Sequence, residues 1–270
     1  MFAKLFPEPS AMRRLLTCLT TALLAACALP AAHAQGKLLD DEALSETWGQ
    51  ALITLDNTSY LGLDFTRLTL DADIRLSANF NNLRLGEYSW AARNGTGADI
   101  DIGTLHFGRS DATAAQTTVS ITHPYFEFVT NGATKEVVGM RLGFGGISGD
   151  IGLTMNAVSG SLLIDAGSAG SIDSRNDTLG GKRWDGTTCI STATCTVALS
   201  QIGGVTAGNA DGASRDFFLS VLKQSVNFPT VNTAVGAPDT ALAGLWLNWR
   251  DRLTAINTTG TVPVNTGKGP

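Results

Sequence analysis

The stretch LTLDADIRLSANF, Leu68 to Phe80, constrains the fold of this chain more than any other. Apolar and polar residues alternate along thirteen positions. A period of two marks an extended strand with one covered and one solvated face, because successive side chains leave a pleated backbone on opposite sides. As a single strand it spans roughly 40 Å at about 3.3 Å per residue. Leu68, Leu70, Ile74, Leu76 and Phe80 then form the expected buried face. A compact sandwich seldom needs such length, so the sheet is expected to be elongated, solenoidal or membrane-spanning.

The same period recurs at Leu61, Leu63 and Phe65, at Leu83 and Leu85, at Ile100 and Ile102, and at Leu105 and Phe107. Its phase slips at Thr66-Arg67 and Asn81-Asn82, which reads as bulges or corners. HPYFEFVTNGATKEVVGMRLGF predicts a hairpin with Phe126 and Phe128 on one arm. Val138, Met140, Leu142 and Phe144 form the other, and Asn131-Gly132 lies in the connection. Ile151, Leu153, Met155, Leu162 and Ile164 continue the pattern among many glycines, which mark bulges or close backbone approach.

Residues 166–212 are loop-rich, with a short strand expected at Thr196 to Leu199. Phe217, Leu219 and Val221 predict another strand. Leu245, Leu247 and Trp249 predict a last one, with Trp246 and Asn248 on its other face and a helix over Thr240 to Ile256 as the competing reading. No internal repeat is visible, which argues against a regular repeat protein.

The fold class expected is all-β: a long, mostly antiparallel, twisted or elongated sheet, sandwich-like or solenoid-like, with a short N-terminal helix. The helix is placed over 35–50 in LLDDEALSETWGQ. Asp40 caps it, Leu39 and Leu44 form a hydrophobic staple, and Gly49 suits its C-terminal end. A single β-rich domain follows over 51–256, then a mobile tail over 257–270.

Residues 1–34 read as a signal peptide. Arg13 and Arg14 precede the uncharged apolar run Leu15 to Ala26, and Pro30 with the small residues Ala32 and Ala34 supplies a cleavage site. The run is too short for a bilayer, which takes about 20 residues. A rival reading takes LAAC, Leu24 to Cys27, as a lipoprotein signal with Cys27 lipidated. Both place the mature protein outside the cytoplasm of a Gram-negative cell, in the periplasm, outer membrane or cell surface. Cys189 and Cys195, in CISTATC, are then expected to form a disulfide in an oxidising compartment. Without residues 1–34, which hold Lys4, Arg13, Arg14 and Glu8, the chain keeps 16 basic and 23 acidic residues. An acidic chain without basic clusters argues against nucleic acid and anionic membrane surfaces as partners.

No motif fixes a reaction. The nearest approach to a serine elbow, AGSAG at Ser168, lies in a Gly/Ser-rich loop without the strand-to-helix setting the elbow requires. His106 and His123 read as surface histidines. Asp71 with Asp73, and Asp99 with Asp101, stand two apart on strand faces, a spacing of roughly 6.6 Å that suits acid–base work or one side of a calcium site. They read first as solvated face residues. DSRND (Asp173 to Asp177) and NADG (Asn209 to Gly212) are oxygen-rich but lack the calcium-loop spacing. GFGGISG has no following helix to supply a phosphate site. No catalytic, metal or cofactor residue is assigned.

Two blocks carry a resemblance. LLDDEALSETWGQALITL resembles an L-x-D-x-x-L-S-x-x-x-G-Q opening, and PYFEFVTNGATKEVVGMRLGFGGISGDIGL resembles a hairpin block centred on VVGxRLGF. Together they are similar to a loose class of uncharacterised exported β-rich proteins of Gram-negative bacteria, some described as pilus-system or surface proteins. Export, β content and the missing catalytic signature lead to the expectation of a structural or interaction role in the cell envelope, with envelope or surface proteins as partners and self-association through sheet edges. The alternatives are a periplasmic or outer-membrane binder of an apolar, lipid-like ligand and a small outer-membrane β-barrel.

Overall fold

A computed structural model describes residues 52–90, 95–189, 195–230, 233 and 235–267, all within one unit of the chain, Glu46–Pro270. The signal segment, Cys27 and the helix expected over 35–50 lie outside the described residues. The strands are β1 (Ile53–Tyr60), β2 (Leu63–Leu70), β3 (Asp73–Leu76), β4 (Ala78–Trp90), β5 (Gly95–Phe107), β6 (Val119–Asn131), β7 (Val137–Val158), β8 (Gly160–Asp165), β9 (Ser171–Asp173), β10 (Gly204–Ala207), β11 (Phe218–Leu222), β12 (Gly244–Trp249) and β13 (Leu253–Asn257). All thirteen join one sheet.

The sheet is built from long tracks, most of them interrupted. β2 and β3 pair with β6, and β4 pairs with β5, so residues 63–90 run as one broken track. On the other side, β6 and β5 pair with successive halves of the 22-residue β7. β11 and β10 pair with the opposite edge of β7, again half each. β12 and β13 then pair with β11 and β10. A band of breaks crosses these tracks at Asp71-Ala72, at Ser77, at residues 108–118, at 208–217 and at 250–252. Gly149 (φ +128°) and Arg252 (φ +54°) lie in that band.

The expected thirteen-residue strand is therefore corrected to a track broken into β2, β3 and the start of β4. The slip at Thr66-Arg67 is also corrected, because β2 pairs with β6 without interruption there. Asn82, at the other slip, holds φ +54° inside β4. The mostly antiparallel expectation is corrected to a mixed sheet. β8 runs parallel to β12 and β13, while the other strand pairings among the described residues are antiparallel. The alternation in sequence carries no direction, and β8 meets its parallel neighbours through a long connection rather than a hairpin.

The β6–β7 hairpin forms where expected. The strand expected at Thr196 to Leu199 does not; Leu199–Gln201 is a 3-10 turn. Thr240 to Ile256 forms β12 and β13 rather than a helix. The segment after Asn257, expected to be mobile, is described as far as residue 267 and is hydrogen-bonded to the strands. Asn79 Nδ2 donates to Asn265 O (2.8 Å), Asn265 Nδ2 donates to Phe107 O (2.8 Å), and Ser110 N donates to Val264 O (2.7 Å).

Two apolar cores hold the sheet. The larger gathers Ile100, Ile102, Ile151, Val158, Leu162, Ile164 and Trp249, with Ile172, Trp184, Leu199 and Ile202 from the loop-rich segment. The smaller lies where segment 223–243 crosses β2, β6, β7, β11 and β12. It joins Phe65, Val129, Val138, Phe218 and Trp246 to Val226, Phe228 and Ala241.

Candidate functional site

The strands under segment 223–243 have two unlike faces. The covered face carries Phe65 and Arg67 of β2, Tyr125, Glu127 and Val129 of β6, and Arg141 of β7. It continues through Phe218, Ser220 and Leu222 of β11. Glu127 and Arg141 are 3% and 1% exposed. They survive burial because they are paired: Arg67 Nε and Nη2 reach Glu127 Oε1 at 2.9 and 2.7 Å, and Arg141 Nε donates to Oε2 at 2.6 Å. Both guanidinium groups also stack, Arg67 over Tyr125 (4.2 Å) and Arg141 over Phe228 (4.0 Å). Such planar cation–aromatic contacts replace part of the lost hydration.

The opposite face carries two cross-strand rows. One runs Leu55, Leu68, Phe126, Leu142, Leu219 and Leu247; the other runs Asn57, Thr66, Phe128, Met140, Val221 and Leu245. Towards β12 this face enters the larger core through Leu219 and Leu247. Towards β1 it is open: Leu55 is 60%, Phe126 48% and Phe128 43% exposed. The residues expected to be buried, Leu68, Ile74 and Phe80 among them, are exposed, and Leu70 and Leu76 are half-buried. Phe126 and Phe128, and likewise Val221, are exposed on this face.

β1 ends the sheet, with β2 as its neighbour among the described strands. Each of its eight residues is exposed. Edge strands are usually guarded by lysine, proline, a bulge or short length. ITLDNTSY has no lysine or proline, pairs with β2 without a bulge, and holds one charge, Asp56.

A cleft of about 560 Å³ opens beside the covered face. Five arginines line it: Arg141, Arg175, Arg215, Arg250 and Arg252. Arg250 forks onto Asp173 at 2.8 and 2.7 Å, and Arg175 forks onto Asp239 at 2.9 Å. Two aspartates knit the break in the sheet. Asp216 accepts from the backbone N–H of Arg250 (2.8 Å) and Asp251 (3.0 Å), while Asp251 accepts from the backbone N–H of Arg215 (3.0 Å). Burial pushes the Asp216 carboxyl above its usual range despite those hydrogen bonds. Burial also raises Asp239, but hydrogen bonds from Arg175 and Ser161 outweigh it and hold that carboxyl low.

The other sequence candidates are scattered. Ser168 is exposed in a 3-10 turn between β8 and β9. His106 Nδ1 contacts Pro263 O at 3.0 Å, and His123 Nε2 lies 3.1 Å from Asp71 on the surface. Asp73 is exposed at the start of β3. Asp99 is buried, accepting from Ser159 Oγ (3.3 Å) and Leu245 N (3.1 Å), whereas Asp101 accepts from Asn156 Nδ2 (2.9 Å). Their expected role as a solvated pair is corrected for Asp99.

The DSRND acids are engaged otherwise, Asp173 by Arg250 and Asp177 by Gly181 N and Thr188 Oγ1 at 2.7 Å each. Asn209 to Gly212 close a tight turn. The GFGGISG glycines sit within β7, where a Cβ at Gly143 would strike the Tyr125 hydroxyl. Among the described residues no group of three or more His, Cys, Asp or Glu side chains is placed to hold a metal ion. Cys189 and Cys195 form the expected disulfide, with Cα atoms 6.0 Å apart.

Sequence reasoning missed the arginine cleft because its five arginines come from four separate stretches of the chain. The charged runs Arg215-Asp216 and Arg250-Asp251-Arg252 were the available signal. No family model, curated protein or solved structure matches this chain.

Proposed function

We propose that this is an exported cell-envelope protein whose role is assembly, with a second copy of the chain as the partner of β1. The carrying observation is the unguarded, fully exposed β1 edge beside an open apolar face. Edge-to-edge pairing satisfies the free backbone groups of two such strands and is a common physical route to association.

A two-fold axis perpendicular to the sheet selects the register. It pairs residues of equal parity and keeps the apolar faces of both copies on one side. A register centred on Asn57 sets Asp56 opposite Thr58, Leu55 opposite Ser59 and Thr54 opposite Tyr60. One centred on Asp56 sets two carboxylates face to face, a destabilising arrangement. The pairing doubles the width of the apolar face, which then serves as the surface for other envelope components, as in a pilus or filament system. The N-terminal segment and the disulfide support the location; periplasm, outer membrane and cell surface all fit them.

Sedimentation of the mature protein across a concentration series tests this reading. A monomer–dimer equilibrium abolished by Leu55→Lys supports it. A monomer at every concentration removes it.

A further inference from the structure

We infer that the arginine-lined cleft is a binding site for an oxyanion, a phosphate- or carboxylate-bearing small ligand. The inference is independent of the pairing through β1, which lies on a different part of the sheet. It rests on how the arginines are partnered.

Arg175 and Arg250 each have a bidentate aspartate. Arg215 and Arg252 do not. Their side chains share one carboxylate, Asp251, and only at 3.6 Å each. Arg252 Nη1 also donates to a backbone carbonyl, Ala213 O (2.9 Å), a neutral partner. The other acid beside them, Asp216, has its oxygens taken by Asn248 and two backbone N–H groups and is shifted towards its neutral form. Two guanidinium groups thus face about 560 Å³ of space with one distant counter-charge. A planar fork of donors fits carboxylate and phosphate oxygens better than any other ligand chemistry.

Two further observations point the same way. Arg141 Nη2 and Arg215 Nε are buried donor atoms without a hydrogen-bond partner, on residues that line this cleft. Buried polar groups are nearly always satisfied, so unsatisfied ones beside a cleft mark a place built for something else. Arg252 also holds φ +54°, a conformation that side chains other than glycine adopt at a cost. Its carbonyl accepts from Gly208 N (2.9 Å), which fixes the strained residue at the mouth. Tyr125, Phe144, Phe218 and Pro229 supply an apolar wall for the remainder of the ligand.

Arg252→Gly is the informative variant, because glycine takes φ +54° without strain and the fold is retained while the guanidinium is lost. Arg215→Gln removes the second charge without altering the backbone. Inorganic phosphate and citrate, each at constant ionic strength set with chloride, are the probes.

The expected result is a saturable rise in melting temperature of about 2–4 °C for the wild-type protein. Both variants, folded by circular dichroism, should bind at least about tenfold more weakly, the loss of one charge-assisted contact. A stronger response to phosphate assigns a phosphate-bearing ligand, and a stronger response to citrate a carboxylate. No saturable response to either probe, or variants that respond like the wild type, would overturn the assignment.

Discussion

The two faces of β2, β6, β7 and β11 invert the usual arrangement. One face holds Arg67, Glu127 and Arg141 and is buried beneath segment 223–243. The other holds Leu68, Phe126, Met140, Leu142 and Val221 and opens towards solvent at its β1 end. The difference teaches that burial follows what covers a face, not how apolar it is. Charges are tolerated inside when they satisfy one another. An apolar face left open is a surface with an occupant still to come.

Breaking the buried face should have the largest effect. Glu127→Ala leaves two buried guanidinium groups facing each other and is expected to cost about 3–5 kcal/mol in urea unfolding. Replacing the triad together, with Arg67→Met, Glu127→Leu and Arg141→Met, should by contrast be near neutral, because desolvation and attraction are removed at once. A large loss in the triple variant would show that the triad contributes more than mutual satisfaction. Phe228→Ala, which removes the ring packed on Phe65 and Phe218 (centroids 5.8 and 5.1 Å), should cost a similar ~3–5 kcal/mol and loosen the cover.

The disulfide lies outside both faces and serves as a control for general destabilisation. Replacing Cys189 and Cys195 by serine should cost about 2 kcal/mol, given the short loop they close. It should leave association through β1 unchanged.

Asp216 gives a pH signature on the covered side. Its folded carboxyl binds a proton more tightly than the unfolded one, so its contribution is full below the unfolded value and is lost as pH rises through the folded one. Asp216→Asn removes that dependence. The stability difference between variant and wild type should therefore move in the variant's favour as pH rises above the ordinary carboxylate range. A constant difference would contradict the assignment.

The open face should show the smallest effect on stability. Phe128→Ser alone is expected to cost about 1 kcal/mol, since its ring is already nearly half exposed. Its effect should appear instead as weaker recruitment of apolar partners. A loss as large as that of Phe228→Ala would mean that the open face is a core.

The strand positions were largely legible because alternation reports local extension directly. The β6–β7 hairpin, the strands at Phe218–Leu222 and Gly244–Trp249, and the disulfide all follow from local signals. The inward face was not legible. Alternation says that two faces differ; it does not say which one segment 223–243 will cross. Nothing local marked Glu127 and Arg141 for burial, because their partners lie 14 or more residues away, where no local pattern reaches. The same distance hid the cleft, whose arginines meet only after β12 and β13 kink at Arg250 to Arg252. The long track from Leu63 to Trp90 was legible in length, but its breaks at Asp71-Ala72 and Ser77 were not, because the alternation runs through both.

Asn57→Cys in the mature protein tests the central claim most directly. Pairing of two β1 strands about Asn57 places the new thiols opposite each other, and mild oxidation should give a covalent dimer at high yield. Thr58→Cys, which faces Asp56 of the second copy, should give far less. Equal and slow cross-linking at both positions, or none at either, would contradict assembly through this edge.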